Sequence, residues 1–417
     1  MAAEWMLDFL AVSRHEEPPS DAVFTRALGG AGLGTVVYTP APPDDPGASA
    51  TAAGRQRLGS YALSEPAGRA TARLTVARHT HPALAGMAEA AFTGLTHGLG
   101  AQDIATLREG RLAFNLRVNV TDGTDAQFIK WATKILLMVL GIGDGAAIDP
   151  AAQRSYGRGE LAALAGAASP AAHVAFHTEA WGADALWLHT HGLQKFARPE
   201  LDLADVPQVF APEARALLTD VAERLIQGDA LRAGQEIDLD DMGQLVAIAM
   251  PADVDHQAPF GRLRLVDEPL PGAEMGAAAT SLLERIVLGQ SRRSAATGDV
   301  PGALATVERV LAANPDDCAA MAYKAELTLA GGDAMEALAI GELMGVRAPG
   351  DWRGALTMGR ALAALGRAPE AERAYTRAIE RNPEDAAAYL ARATVRAQMG
   401  NTQAAEADQA RAAYLSE

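Results

Sequence analysis

WRGALTMGRALAALGRAPEAERAYTRAIERNP, residues Trp352 to Pro383, reads as two helices joined by a glycine turn and stopped by a proline. Gly366 falls in the turn, where a residue without Cβ admits the left-handed backbone. Ala371 falls where the second helix must cross the first closely, and Pro383 stops the second helix. Gly359, Tyr375 and Ala378 stand at matching offsets within the unit. The same markers recur at a step of 34 residues: Gly298, Gly332, Gly366 and Gly400; Ala303, Ala337, Ala371 and Ala405; Pro315, Pro349 and Pro383. Three registers at one spacing predict a stack of helix-turn-helix units, each burying its face only against its neighbours.

With these markers, residues Glu284 to Glu417 resemble the tetratricopeptide-repeat family. Units are expected at about 284–317, 318–351, 352–385 and 386–417, the last truncated, within an all-α domain spanning 273–417. Ser291 takes the small-residue position in the first unit, and Gly341 stands where a bulky aromatic is usual, which predicts looser packing in the second. The resemblance implies a shallow superhelical solenoid whose concave surface takes a peptide or partner domain, with no residue placed for catalysis. Arg353, Arg360, Arg392 and Arg396 are the candidate partner-facing residues; Arg392 and Arg396, four apart, share a helix face. The same four also read as ordinary solvated arginines, and asparagines are missing from the usual positions of a clamp for a peptide terminus. Cys318, the single cysteine, falls on a repeat helix and reads as a small buried hydrophobe in a reducing compartment.

The formal charge of -16 comes from 36 basic and 52 acidic residues. From Glu284 onward 15 basic stand against 18 acidic residues, so the acidity sits in front, where the net charge is -13. Such a surface repels phosphate backbones and anionic lipid, making nucleic acid and membrane poor partners; the interspersed charges also serve solubility. Glu4 and Asp8 replace the basic start of a secretory signal, which predicts a cytoplasmic protein. Ile135 to Ile142 is too short for a membrane span of roughly 20 residues and predicts one buried helix.

Residues 1–272 predict an α+β domain: a mixed sheet with helices, with room for two subdomains. Short strands are expected at Thr35–Tyr38, Ala72–Ala77, Leu112–Val120, Leu186–Thr190, Leu245–Met250 and Arg262–Val266. Helices are expected at Ala83–Leu95, Asp125–Leu140 and Pro212–Leu231, with loops at Thr39–Gly54, Pro251–Pro259 and Pro269–Ala273. Ala273 to Ala296 should be a helix running into the first repeat, with a packed junction. No Gly-x-Ser-x-Gly, no phosphate loop and no cysteine nucleophile beside a histidine occurs, and Gly141 to Gly145 reads as a helix-terminating turn.

The segment from Trp187 to Asp202, WLHTHGLQKFARPELD, is the most distinctive in front. Through Trp187, His189, Thr190, His191, Gly192, Leu193, Lys195, Phe196, Pro199, Glu200 and Leu201 it resembles bacterial families of unknown function with a Trp-x-His-Thr-His-Gly-Leu stretch; the resemblance implies no reaction. In a strand, residues two apart share a face, so His189 and His191 present two imidazoles to one ion such as zinc. Glu179 or Glu200 then completes a His/carboxylate set, with His177 a further candidate. Against this, the spacing matches no standard zinc signature, and the two histidines read equally as a hydrogen-bonded pair at a strand end, with Lys195, Arg198 and Glu200 tying down the next loop. His79 and His81 read as a strand-to-helix turn that has no established reason to converge on the first pair.

The leading expectation is a bacterial-type adaptor without a cofactor: a repeat array recruiting a protein or peptide, joined to an α+β binding or regulatory domain. Trp187, His189, His191, Lys195 and Glu200 form its candidate ligand site. One alternative is a metal-dependent hydrolase using His189, His191 and Glu200; another is an immunity-type antagonist of a bacterial toxin, suggested by the acidic surface.

Overall fold

The computed structural model describes residues 5–40, 55–123, 126–143, 145–238, 244–249, 260, 262–266 and 279–415. The chain divides into two units: Met1–Val206, Ala214–Asp238 and Gln244–Gly276 in one, Ala277–Glu417 with Pro207–Glu213 and Leu239–Gly243 in the other. The first opens with β1 (Trp5–Ser13), α1 (Asp21–Gly30), β2 (Thr35–Pro40), β3 (Arg55–Ser64), β4 (Ala70–His79), α2 (Glu89–Leu95) and α3 (Ala101–Glu109). It continues with β5 (Leu112–Val120), α4 (Gln127–Gly143), β6 (Gly145–Asp149), β7 (Arg154–Tyr156) and α5 (Arg158–Gly166). These seven strands pair antiparallel in the order β2-β3-β4-β5-β1-β6-β7.

Alternation sets the faces of this sheet. In β5, Leu112, Phe114, Leu116, Val118 and Val120 are buried, whereas Arg117 is exposed and pairs with Asp8 on β1 at 2.7 Å. Helix α4 packs on β1, β5 and β6 and buries Phe128, Ile129, Ala132, Ile135, Leu136 and Val139, the spacing of one helix face. The apolar stretch Ile135–Ile142 is part of that helix. Among the described residues no helix is long and apolar enough to cross a membrane.

A second sheet is built from β8 (Ala175–Trp181), β9 (Ala185–His191), β10 (Glu200–Pro207), β11 (Glu236–Asp238), β12 (Gln244–Ala249) and β13 (Arg262–Val266), with α6 (Ala211–Gln227) between β10 and β11. Its order is β11-β12-β13-β10-β9-β8, and it is mixed: β10 runs parallel to β13, while β11, β12 and β13 pair antiparallel in sequence. The first unit is therefore α+β with two sheets, as the residue pattern predicts.

Two differences from the sequence reading have physical causes. Of the helix expected at Ala83–Leu95, only Glu89–Leu95 forms. The Ala83 N–H donates to the Gly110 carbonyl at 2.8 Å, and Ala83, Leu84 and Met87 pack as a turn against a core containing Val12, Leu107 and Ile148. Their apolar spacing reflects that docking rather than a helical face. Strands β1, β3, β6, β7, β8, β10 and β11 also escape the sequence reading; β7 and β11 are only three residues long, and β1 pairs with β5 and β6, far along the chain. The residues from Pro251 to Pro259, from Pro269 to Ala273 and most of Thr39–Gly54 lie outside the described residues, as does the expected boundary near residue 272.

The second unit is a run of four helix pairs: α7 (Ala279–Ala296) with α8 (Val300–Ala313), α9 (Cys318–Ala330) with α10 (Ala334–Arg347), α11 (Trp352–Ala364) with α12 (Ala368–Arg381), and α13 (Ala386–Gln398) with α14 (Thr402–Leu415). Gly298, Gly332, Gly366 and Gly400 have φ of 88°, 89°, 72° and 81°, the left-handed turn that glycine permits. Ala303, Ala337, Ala371 and Ala405 are all buried. Asn314, Ala348 and Asn382, each before a proline, leave the helical backbone with φ near -134° and end the second helix of their pair.

A further register at the same step is Asp317, Asp351 and Asp385, whose carboxylates accept the N–H groups that open α9, α11 and α13. Gly341 does not loosen its unit. A Cβ there would stand 2.9 Å from the Met358 backbone nitrogen, so α10 and α11 approach directly where an aromatic side chain was expected.

Candidate functional site

Strands β8 and β9 form an antiparallel hairpin with His177 opposite His189, Glu179 opposite Trp187 and Ala175 opposite His191. Because successive side chains alternate, His177, Glu179, Trp187, His189 and His191 share one face, while Thr190 and Leu188 point to the other. The three imidazoles meet there. Ring centroids lie 4.7 Å apart for His177 and His191, 5.0 Å for His189 and His191, and 5.6 Å for His177 and His189. One nitrogen from each lies within 4.8 Å of the others. His189 and His191 are buried and His177 is half-buried. Burial lowers the pKa of His177, outweighing its hydrogen bond to the Ala152 backbone and the nearby Glu179 carboxylate. Glu179 Oε1 stands 3.7 Å from His189 Nε2.

Glu200 is engaged elsewhere. Its carboxylate accepts the Thr190 hydroxyl at 2.7 Å, the Gly192 N–H at 2.8 Å and the Gln194 N–H at 3.2 Å. These bonds tie the left-handed turn at Gly192, φ 111°, and the short 3-10 helix Leu193–Phe196 to the start of β10. Burial raises the Glu200 pKa, with the Thr190 and backbone donors opposing. The structure thus brings His177 to His189 and His191 and does not bring Glu200, whose oxygens are already engaged. His79 and His81 are not part of the group.

Lys195 is also structural. Its buried ammonium donates to Asp149 Oδ2 and to the His173 carbonyl, both at 2.5 Å, joining the two sheets of the first unit. Burial and the Lys195 and Lys130 charges lower the pKa of His173 to about 3. The Trp187 indole N–H reaches Asp202 at 3.2 Å, and Asp202 holds Arg264 through two hydrogen bonds of 2.9 and 3.0 Å. Arg198 donates to the Leu225 carbonyl at 2.7 Å. Every charged group of the Trp187–Asp202 segment therefore has a hydrogen-bonding partner within the fold.

In the helical unit, each of the four candidate arginines meets an acidic side chain: Arg353 with Asp351 at 2.9 Å, Arg360 with Glu326, Arg392 with Asp408 at 2.8 Å, and Arg396 with Glu372 at 2.7 Å and Asp408 at 2.9 Å. Arg392 also donates to Thr376. Arg392 and Arg396 thus link α12, α13 and α14, while Arg353 and Arg360 remain more exposed.

Residues 288–351 and 356–416 match the family profile described as tetratricopeptide repeat. The C-terminal helices are tetratricopeptide repeats. Among solved structures, the repeat array is similar to TTC0263, a thermophilic TPR protein of Thermus thermophilus, with 29% identity over 32% of this chain and 74% of that one and a TM-score of 0.30. It is also similar to MamA, residues 41 to the end, from Desulfovibrio magneticus RS-1, with 19% identity over 32% of this chain and 75% of that one and a TM-score of 0.28. No curated protein matches the chain. Tetratricopeptide repeats are a protein-interaction architecture, and the repeat array gives this chain that capacity.

Proposed function

We propose that this protein is an adaptor whose repeat array holds a segment of a partner protein while the α+β unit binds or regulates a second component. The observation that carries the reading is the unbroken run of four helix pairs, each with its glycine turn and buried alanine. Such a stack exposes a continuous surface made by the first helix of each pair, and its function is contact rather than chemistry. Of the four candidate arginines, Arg353 and Arg360 are the more exposed and the ones offered to an acidic side chain of the partner. Arg392 and Arg396 serve to hold the last helices together, because exchanging Asp408 for a partner carboxylate would break a three-helix network.

Site-specific photo-crosslinking in cells tests this. Crosslinker placed at Arg360 on α11 or at the exposed Leu390 on α13 should give one discrete protein adduct, and at the exposed Val346 on α10 should not. Equal labelling from all three positions, or none from the first two, would refute the assignment.

A further inference from the structure

We propose that His177, His189 and His191 form a binding site for a transition-metal dication of the zinc class, built on one β-hairpin and open on the side of Glu179. This is independent of the adaptor reading. Imidazole suits borderline dications, and three histidines from two paired strands give a ligand set that no single-strand spacing reveals. Their ligand nitrogens lie within 4.8 Å of one another. A tetrahedral ion with metal–nitrogen bonds of about 2.0–2.1 Å holds its ligands about 3.3 Å apart, so the rings must close by at most about 1.5 Å. Two of the three ring pairs already meet edge to face, at 74° and 85°, and side-chain rotation supplies such a movement without shifting the backbone register.

The surroundings fit a metal ligand set. His177 is hydrogen-bonded to the Ala152 backbone, and a ring nitrogen held in this way decides which nitrogen faces the ion. The Trp187 ring packs 4.0 Å from His189 and screens that side. Glu179, with its side chain 53% exposed, stands at the open edge and supplies the anionic oxygen beside the fourth coordination position. The half-buried His177 and Glu179 mark the route by which an ion reaches the two buried rings. Glu200 has no part, since its oxygens are taken by the Thr190 hydroxyl and the Gly192 and Gln194 N–H groups.

The test uses the full-length protein, stripped with a chelator, dialysed, and titrated with Zn2+ and separately with Co2+. One equivalent of each should bind, the melting midpoint should rise, and the cobalt form should show the visible bands of a four-coordinate nitrogen/oxygen site. His177→Ala, at the most exposed of the three rings, should weaken binding by more than about a hundredfold while circular dichroism is unchanged. Glu179→Gln should weaken it by about tenfold and keep the stoichiometry. Folded wild-type protein that binds neither ion, or undiminished binding by a folded His177→Ala variant, overturns the site. The wild-type titration decides the matter even where a variant at the fully buried His189 fails to fold.

Discussion

Along the repeat array the carboxylates of Asp317, Asp351 and Asp385 serve the ends of helices, and the space between helices is filled by Ala337, Ala371, Ala378 and Met344. Around the six-stranded sheet, by contrast, Lys195, Glu200, Asp202 and Arg264 are buried beside His173, His189 and His191, with Lys195 against Asp149 of the seven-stranded sheet. Ionic groups taken out of water cost more than apolar side chains of the same volume and gain their place only through geometry. Apart from the Arg392–Asp408–Arg396 network at its end, the array is thus held by repetition of small, cheap contacts, and the sheet by a few costly ones that each depend on a named partner. Stability should accordingly fail in different ways in the two regions.

The sharpest contrast lies at Lys195. Lys195→Met leaves Asp149 buried and uncompensated and should destabilise the first unit by about 3–5 kcal/mol. Hydrogen exchange resolved by peptide should accelerate in β6, β9 and β10 and stay unchanged in α9 to α14. Equal acceleration in both regions would break the comparison.

Acid gives the next largest effect. As pH falls below about 6.5, unfolded histidines take up protons that folded His173 refuses until about pH 3, and His177 is depressed in the same sense. The unfolded state then binds more protons, so stability falls with pH by up to about 1.4 kcal/mol per pH unit for each such group. Glu200 acts oppositely. With its folded pKa raised, it takes a proton before the unfolded chain does, and the stability this gives is lost as pH rises through the folded value. Two histidines against one carboxyl predict a net loss in the first unit between about pH 6.5 and 5. The repeat array contains no histidine from Ala279 onward, and its Glu284, with a pKa raised by burial, acts in the opposite sense, so the array should not share the loss. Calorimetry at several pH values checks the divergence, and His173→Gln should flatten the acid slope.

Within the array, Gly359→Ala should cost about 1–3 kcal/mol, because a Cβ there would lie 2.5 Å from the Tyr375 ring. Thermal denaturation of the variant should show the effect only in the array transition. Asp317→Ala, which removes the acceptor for the Ala319 and Ala320 N–H groups, should cost about 1 kcal/mol by the same measurement. An aspartate cap worth as much as the buried Lys195 pair would erase the distinction drawn between the regions.

The same difference explains what was legible in the residues alone. Gly366 reveals itself because positive φ is a local demand, and it reveals a solenoid because Gly298, Gly332 and Gly400 repeat it. The aspartate register stands at the same step and is equally local, since each carboxylate caps the helix that follows it. In front, Leu112–Val120 and Arg262–Val266 show their strand pattern locally, but β10 hides behind Glu200 and Asp202, charged residues that read as surface and are buried. The candidate site was half visible. His189 and His191 share a face by spacing alone, whereas His177 joins them through the pairing of β8 with β9, a register that only folding supplies. Glu200 looked as suitable as Glu179 until folding engaged its oxygens with Thr190, Gly192 and Gln194.

Asp317, Asp351 and Asp385 also set a rule for how this chain can change in length. A segment removed from one aspartate up to the next joins a capped start to a capped start, and the glycine turn and proline stop keep their phase. A deletion of any other size brings a helix opening without its acceptor against a neighbour rotated out of step. Whole 34-residue units are therefore the natural quantum of growth and loss for this array, and its reach toward a partner is expected to vary in steps rather than continuously.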